Sequence, residues 1–188
     1  MPMRISVLLL LLLPLGCDEP RSEANDDIPV QVGMVALDQR NLPVVILEEQ
    51  DGSRMLPIWI GTAEADSIAA QMDGRKPPRP NSHDFAKRVI EGLNGEVIRV
   101  VVSDLRKGTY YAILFLQVRE KVIEIDARPS DAIALAIRVD APIFVRSAVF
   151  DAAQGDTGVL EPKQSVTWPT PTPVRPVGNR PATPRLNL

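Results

Sequence analysis

The residues best suited to chemistry gather where helices should begin. Glu64 follows Gly61-Thr62, and His83 and Asp84 follow Ser82. Asp126, Arg128, Ser130 and Asp131 crowd one turn in VIEIDARPSDAIALAIRVDAPIFV, residues 122–145. Residues of these types suit hydrolysis at an anionic group, which needs an activated water, neutralised charge and a stabilised leaving oxygen. Carboxylates can supply the first two by holding Mg²⁺ or Mn²⁺. Asp126, Asp131 and Glu64 are the candidate metal ligands, and with His83 and Asp84 the candidate catalytic residues. His83 is the only histidine, and its ordinary pKa near neutrality suits a general base or a ligand. Arg79 and Arg128 can each grip two phosphate oxygens; Ser130 and Lys87 are further candidate substrate contacts.

Each residue also has a structural role to play. A carboxylate in a first helical turn, such as Asp131 or Glu64, is favoured by the helix dipole alone. Asp126 and Arg128 can form an ion pair that fixes their turn. A histidine after a capping serine can simply be exposed. No zinc spacing, G-x-S-x-G or phosphate-binding glycine loop is present. Basic residues concentrate between Arg75 and Lys107 (Arg75, Lys76, Arg79, Lys87, Arg88, Arg99, Arg106 and Lys107). That segment is the candidate phosphate-backbone footprint.

The elements that must position these residues follow from periodicity. Val30 to Leu37, Val44 to Leu47 and Met55 to Ile60 read as strands, with Asp51-Gly52 as a hairpin turn. Thr62 is the expected cap of a helix whose inner face is Ala65, Ile68, Ala69 and Met72. After the stiff loop RKPPRP (75–80), Ser82 should cap a second helix, with Phe85, Val89 and Leu93 inward. Strands follow at Val97 to Val102, Tyr110 to Val118 and Val122 to Asp126. Pro129 suits the first turn of a third helix, apolar nearly all round and therefore buried. Pro142 to Val145 closes the set. An offset of 65 residues aligns Val32 with Val97, Ile58 with Ile123 and Asp66 with Asp131 without a gap. The expected architecture is α+β: a mixed, largely antiparallel sheet with about three helices, built as a tandem β-β-β-α duplication.

The chain has 188 residues, 45% apolar and 24% charged, with a net charge of -3. That is a globular composition without global attraction for polyanions. Arg4 and the apolar run Ile5 to Leu13 read as a signal peptide, too short to span a bilayer. Gly16 precedes Cys17, the only cysteine, which resembles a lipoprotein signal over residues 1–17. The expectation is an extracytoplasmic protein held on a bacterial membrane by a lipid on Cys17; the alternative is a secreted or periplasmic soluble protein. Residues 18–28 read as a disordered tether, 29–162 as the folded domain, and 163–188, with prolines throughout, as a disordered tail.

Four blocks carry a family resemblance: LPIWIGTAEADSIA (56–69), PRPNSHDF (78–85), GTYYAIL (108–114) and IDARPSDAIALAIR (125–138), the last followed by PIFV. Together they resemble the bifunctional nuclease domain. The resemblance implies an α+β fold with a tendency to homo-oligomers, and nuclease activity on DNA and RNA. It carries over no settled set of catalytic residues. The competing expectation is a non-catalytic envelope binding or interaction module, whose conspicuous turns support an oligomer interface.

Overall fold

The computed structural model describes residues 26–154. The signal, Cys17, most of the tether and the proline-rich tail lie outside the described residues. Strand β1 (Asp27–Leu37) already includes Asp27 and Ile28, which composition assigned to the tether. The other strands are β2 (Pro43–Glu49), β3 (Met55–Trp59), β4 (Gly95–Arg106), β5 (Thr109–Val118), β6 (Lys121–Ala127) and β7 (Ile143–Arg146). The helices are α1 (Thr62–Met72), α2 (Ser82–Gly92), α3 (Pro129–Ala136) and α4 (Ser147–Gln154). Helix α4 was not expected from periodicity; its Val149, Phe150 and Ala153 are buried in the common core.

Among the described residues, seven strands form one mixed sheet in the order β3-β2-β1-β7-β4-β5-β6. All pairs are antiparallel except β4 with β7. Each half is an antiparallel meander followed by a helix, and β7 lies between the halves. Connectivity therefore agrees with the expected repeat, whereas strand lengths do not: β2 has 7 residues and β5 has 10. The fourth helix belongs to neither half.

Alternation along the strands sends Val45, Leu47, Leu56, Ile58, Val100, Val102, Ala112 and Leu114 into the core. Ile68 of α1 and Ile133 of α3 are fully buried there. Burying such a side chain contributes about 1.5–3 kcal/mol. In α3, every residue from Ala132 to Ala136 is buried, as its apolar sequence predicts. This pins the Arg128-to-Asp131 turn against the core.

Helix α2 departs from expectation. Phe85 is 65% exposed and Leu93 68% exposed, with Val89 also outward. Ala86 and Ile90 pack on the core instead, and Lys87 reaches inward to donate to the Arg138 carbonyl at 3.0 Å. Apolar residues cover a wide arc of this helix, so periodicity alone left its rotation underdetermined. The caps also differ. Helix α1 begins after Gly61 with no side-chain cap. Asn81, not Ser82, caps α2: it accepts from the Asp84 N–H while the Asp84 side chain accepts from the Asn81 N–H, a reciprocal capping box.

Candidate active site

The first turns of α1, α2 and α3 meet at one place. Glu64, His83 and Asp131 come from these three turns, and Arg128, at the N-cap of α3, joins them. Arg128 Nε donates to Asp131 Oδ2 at 2.7 Å. Its Nη2 donates to Asp131 Oδ1 at 3.0 Å and to Glu64 Oε1 at 2.7 Å. These bonds use Nε–H and both hydrogens of Nη2. Nη1 makes no hydrogen bond among the described residues, and the Arg128 side chain is 67% exposed. One guanidinium is thus clamped by two carboxylates while two N–H donors remain open to a ligand.

Behind this pair lies a buried polar chain. Asp131 Oδ1 is 3.2 Å from His83 Nε2, and His83 Nδ1 is 2.8 Å from Ser67 Oγ. Ser67 Oγ accepts from Asn81 Nδ2 at 2.9 Å and from Arg138 Nη2 at 2.8 Å. The capping bond from the Asp84 N–H to Asn81 Oδ1 fixes which end of the amide faces Ser67. A hydroxyl has two acceptor sites and one proton. With both sites filled, Ser67 must donate to His83 Nδ1. In the neutral ring the proton therefore sits on Nε2, which donates to Asp131. The partner order is that of a Ser-His-Asp triad, but Ser67 is 4% exposed and its oxygen is fully engaged. In this arrangement it orients His83 rather than attacking a substrate. Both ring nitrogens of His83 are engaged too, so none is free to take a proton from water.

The electrostatics follow from the same contacts. Burial pushes the Asp131 carboxyl up, but hydrogen bonds from Arg128 and His83 outweigh it, and the net shift is downward. Asp131 and Glu64 together raise the Arg128 guanidinium further, so it stays charged. Asp84 is also lowered: burial opposes ionisation, while Arg138 (Nε to Oδ1, 2.8 Å) and the Asn81 N–H favour it.

The structure brings together Glu64, His83, Asp131 and Arg128, and connects Asp84 to them through Arg138 and Ser67. It separates others. Asp126 pairs with Ile113 across β5–β6, whereas Ile125 pairs with the core residue Leu114. Paired residues share a face, so Asp126 lies on the sheet face away from the helices. It does not converge with Asp131. Arg79 is exposed in its loop, and Lys87 is held by the Arg138 carbonyl and by Glu91 at 3.7 Å. Ser130 is buried in the first turn of α3. The three expected metal ligands therefore do not form a set. No group of three or more such side chains suited to a metal ion occurs among the described residues. The cation that Glu64 and Asp131 share in this arrangement is the Arg128 guanidinium.

Sequence patterns did not single out Ser67, Asn81 and Arg138. Their signals were a serine among the inward alanines of α1, an asparagine immediately before α2, and an arginine ending the apolar run of α3.

An apolar groove of about 350 Å³ opens beside the cluster. Ala86, Ile90, Leu114, Ile125 and Leu135 line it, and His83 and Asp131 stand on its wall.

Residues 45–157 match the model of the bifunctional nuclease domain. An uncharacterized protein of Mycobacterium tuberculosis is 42% identical over 134 residues, covering 71% of this chain and 77% of that protein. Bifunctional nuclease 1 of Oryza sativa subsp. japonica is 28% identical over 128 residues, covering 66% of this chain and 38% of the rice protein. Bifunctional nuclease 1 of Arabidopsis thaliana is 31% identical over 107 residues, covering 55% and 33%. The chain thus spans about a third of the length of these plant relatives. With the matched segment running from β2 through α4, the chain belongs to the bifunctional nuclease domain family.

Proposed function

We propose that this protein hydrolyses phosphodiester bonds of DNA or RNA at the cluster of Glu64, Arg128, Asp131 and His83. The observation that carries this reading is Arg128: exposed, held by two carboxylates, with both Nη1 donors open. Three helix starts around it add fields that favour an anion. A phosphate docks on the two open Nη1 donors while Nε and Nη2 stay on the carboxylates. Asp131, ionised and oriented by His83 Nε2–H, takes a proton from a water as that water bonds to phosphorus. The opposite P–O bond breaks, and the leaving oxygen takes a proton from solvent. The test incubates the purified mature chain with labelled single- and double-stranded DNA and RNA, with Mg²⁺, Mn²⁺ or a chelator. Full-rate cleavage by Arg128→Ala or Asp131→Asn would remove the site assignment.

A second reading rests on exposed apolar surface: Phe85, Val89 and Leu93 on α2, and Ile123 and Ile125 on the helix-side face of β6. This surface supports a non-catalytic interaction module that forms homo-oligomers. Light scattering of wild type and Phe85→Ser/Leu93→Ser reads it, with a monomeric wild type counting against it. The proposed membrane location rests on the signal and Cys17, and mass spectrometry of the membrane fraction tests it through lipid on that cysteine.

A further inference from the structure

A second concavity, of about 530 Å³, lies between the end of α1, the loop from Asp73 to Asn81, and the flank of α2 that carries Asp84, Arg88 and Glu91. Its charge is one-sided. Arg138 is matched by Asp84, and Lys87 by Glu91. Lys76 and Arg88 also line it and are exposed; neither makes a side-chain hydrogen bond among the described residues, and Arg88 adds its charge to that of Arg138 beside the single Asp84 carboxylate. Arg75 is fixed by Asp73 at 3.0 Å and lies 4.0 Å from Asp66, so its charge is matched. Pro77, Pro78 and Pro80 stiffen one wall and limit the ordering needed on binding.

Unpaired cationic donors in a preformed cleft select anionic oxygens. The space is several times that of one phosphate. No aromatic side chain lines it to stack a base. Such a cleft suits a phosphodiester backbone, read without regard to sequence. Its wall is also a wall of the cluster. Asn81 and Arg138 line the cleft, and both donate to the Ser67 oxygen that holds His83.

The geometry points to this cleft as a backbone-holding subsite, separate from the cleaving cluster, in which Lys76 and Arg88 bind polynucleotide phosphates. This rests on the nuclease reading, and binding and cleavage are therefore measured separately. A labelled phosphorothioate single-stranded DNA of about 20 nucleotides, resistant to cleavage, is titrated with the mature chain between about 50 and 200 mM salt. Lys76→Ala/Arg88→Ala should raise Kd about tenfold at the lower salt. It should also reduce the slope of log Kd against log salt by about 1.4, or about 0.7 for each single-strand phosphate no longer neutralised. Arg119→Ala/Lys121→Ala, which removes the same charge from the β5–β6 turn, should leave Kd within about twofold. On cleavable DNA the cleft variant should raise KM and leave kcat unchanged. An unchanged Kd and slope, or an equal loss in the β5–β6 variant, overturns the subsite. If wild type never cleaves but the cleft variant alone loses binding, the subsite stands and the nuclease reading falls. If wild type cleaves and the cleft variant keeps its KM and salt slope, the subsite falls alone.

Discussion

The two helix starts that grip Arg128 come from corresponding places in the two halves, yet they are built differently. In the second half, Arg128 precedes the helix and Asp131 occupies its first turn. The 65-residue offset pairs Asp131 with Asp66, but Asp66 is 55% exposed and only approaches Arg75 at 4.0 Å. The contact to Arg128 comes from Glu64, two residues earlier, whose longer side chain spans the gap. The same offset pairs Asp126 with Gly61. A side chain at Gly61 would collide with the Glu64 carboxylate, so that glycine leaves room for Glu64 to fold back over the helix start. The fold supplies two similar turns. The cluster exists because one turn gained a cation and the other cleared space for the carboxylate that meets it.

That contrast can be broken residue by residue. Arg128→Ala should have the largest effect, lowering kcat/KM about 10²–10³-fold, as for loss of a preorganised donor to developing charge. Its stability should hold, because the side chain is mostly exposed; a thermal melt checks this. Asp131→Asn should cost about 10²-fold through loss of the base. Gly61→Ala should displace the Glu64 carboxylate and, like Glu64→Gln, cost about tenfold, because Asp131 still holds the guanidinium by two bonds. Asp66→Asn and Asp126→Asn should stay within about twofold of wild type. A large loss in Asp66→Asn would mean that the aligned position, not Glu64, is the true counterpart.

Acid titration sharpens the same comparison. The folded state depresses the Asp131 carboxyl. Its stabilisation is therefore present above the unfolded pKa of about 3.9 and is lost as pH falls through the lower folded value. Melting temperatures measured from pH 7 downward should fall less steeply below about pH 4 in Asp131→Asn than in wild type. Equal slopes would show that the Arg128 and His83 contacts do not bias the carboxyl.

Sequence reasoning reached the strands, the buried α3 and the placing of Glu64, His83 and Asp131 in first helical turns. Local patterns determine these: strand alternation, an apolar helix and polar residues at helix starts. It failed where position depends on partners far away in sequence. Asp126 looked close to Asp131 along the chain, but its sheet face is set by pairing with Ile113; alternation with Ile123 and Ile125 already carried that information. The rotation of α2 depends on His83 meeting both Ser67 and Asp131, 16 residues before it and 48 after. The roles of Asn81 and Arg138 appear only once three helices pack around one hydroxyl.

The position of β7 has a consequence for how the protein is made. Among the described strands, this four-residue element alone links β1 to β4 in the sheet. During synthesis from the N-terminus, both three-stranded meanders can emerge before it does. Until Ile143 to Arg146 leaves the ribosome, β1 and β4 each present an open edge, and open edges recruit strands from other chains. The joining step also brings together residues as distant as Asp27 and Arg146, which makes it entropically costly and slow. A chain released before β7 is complete therefore carries two adhesive borders in place of a continuous sheet.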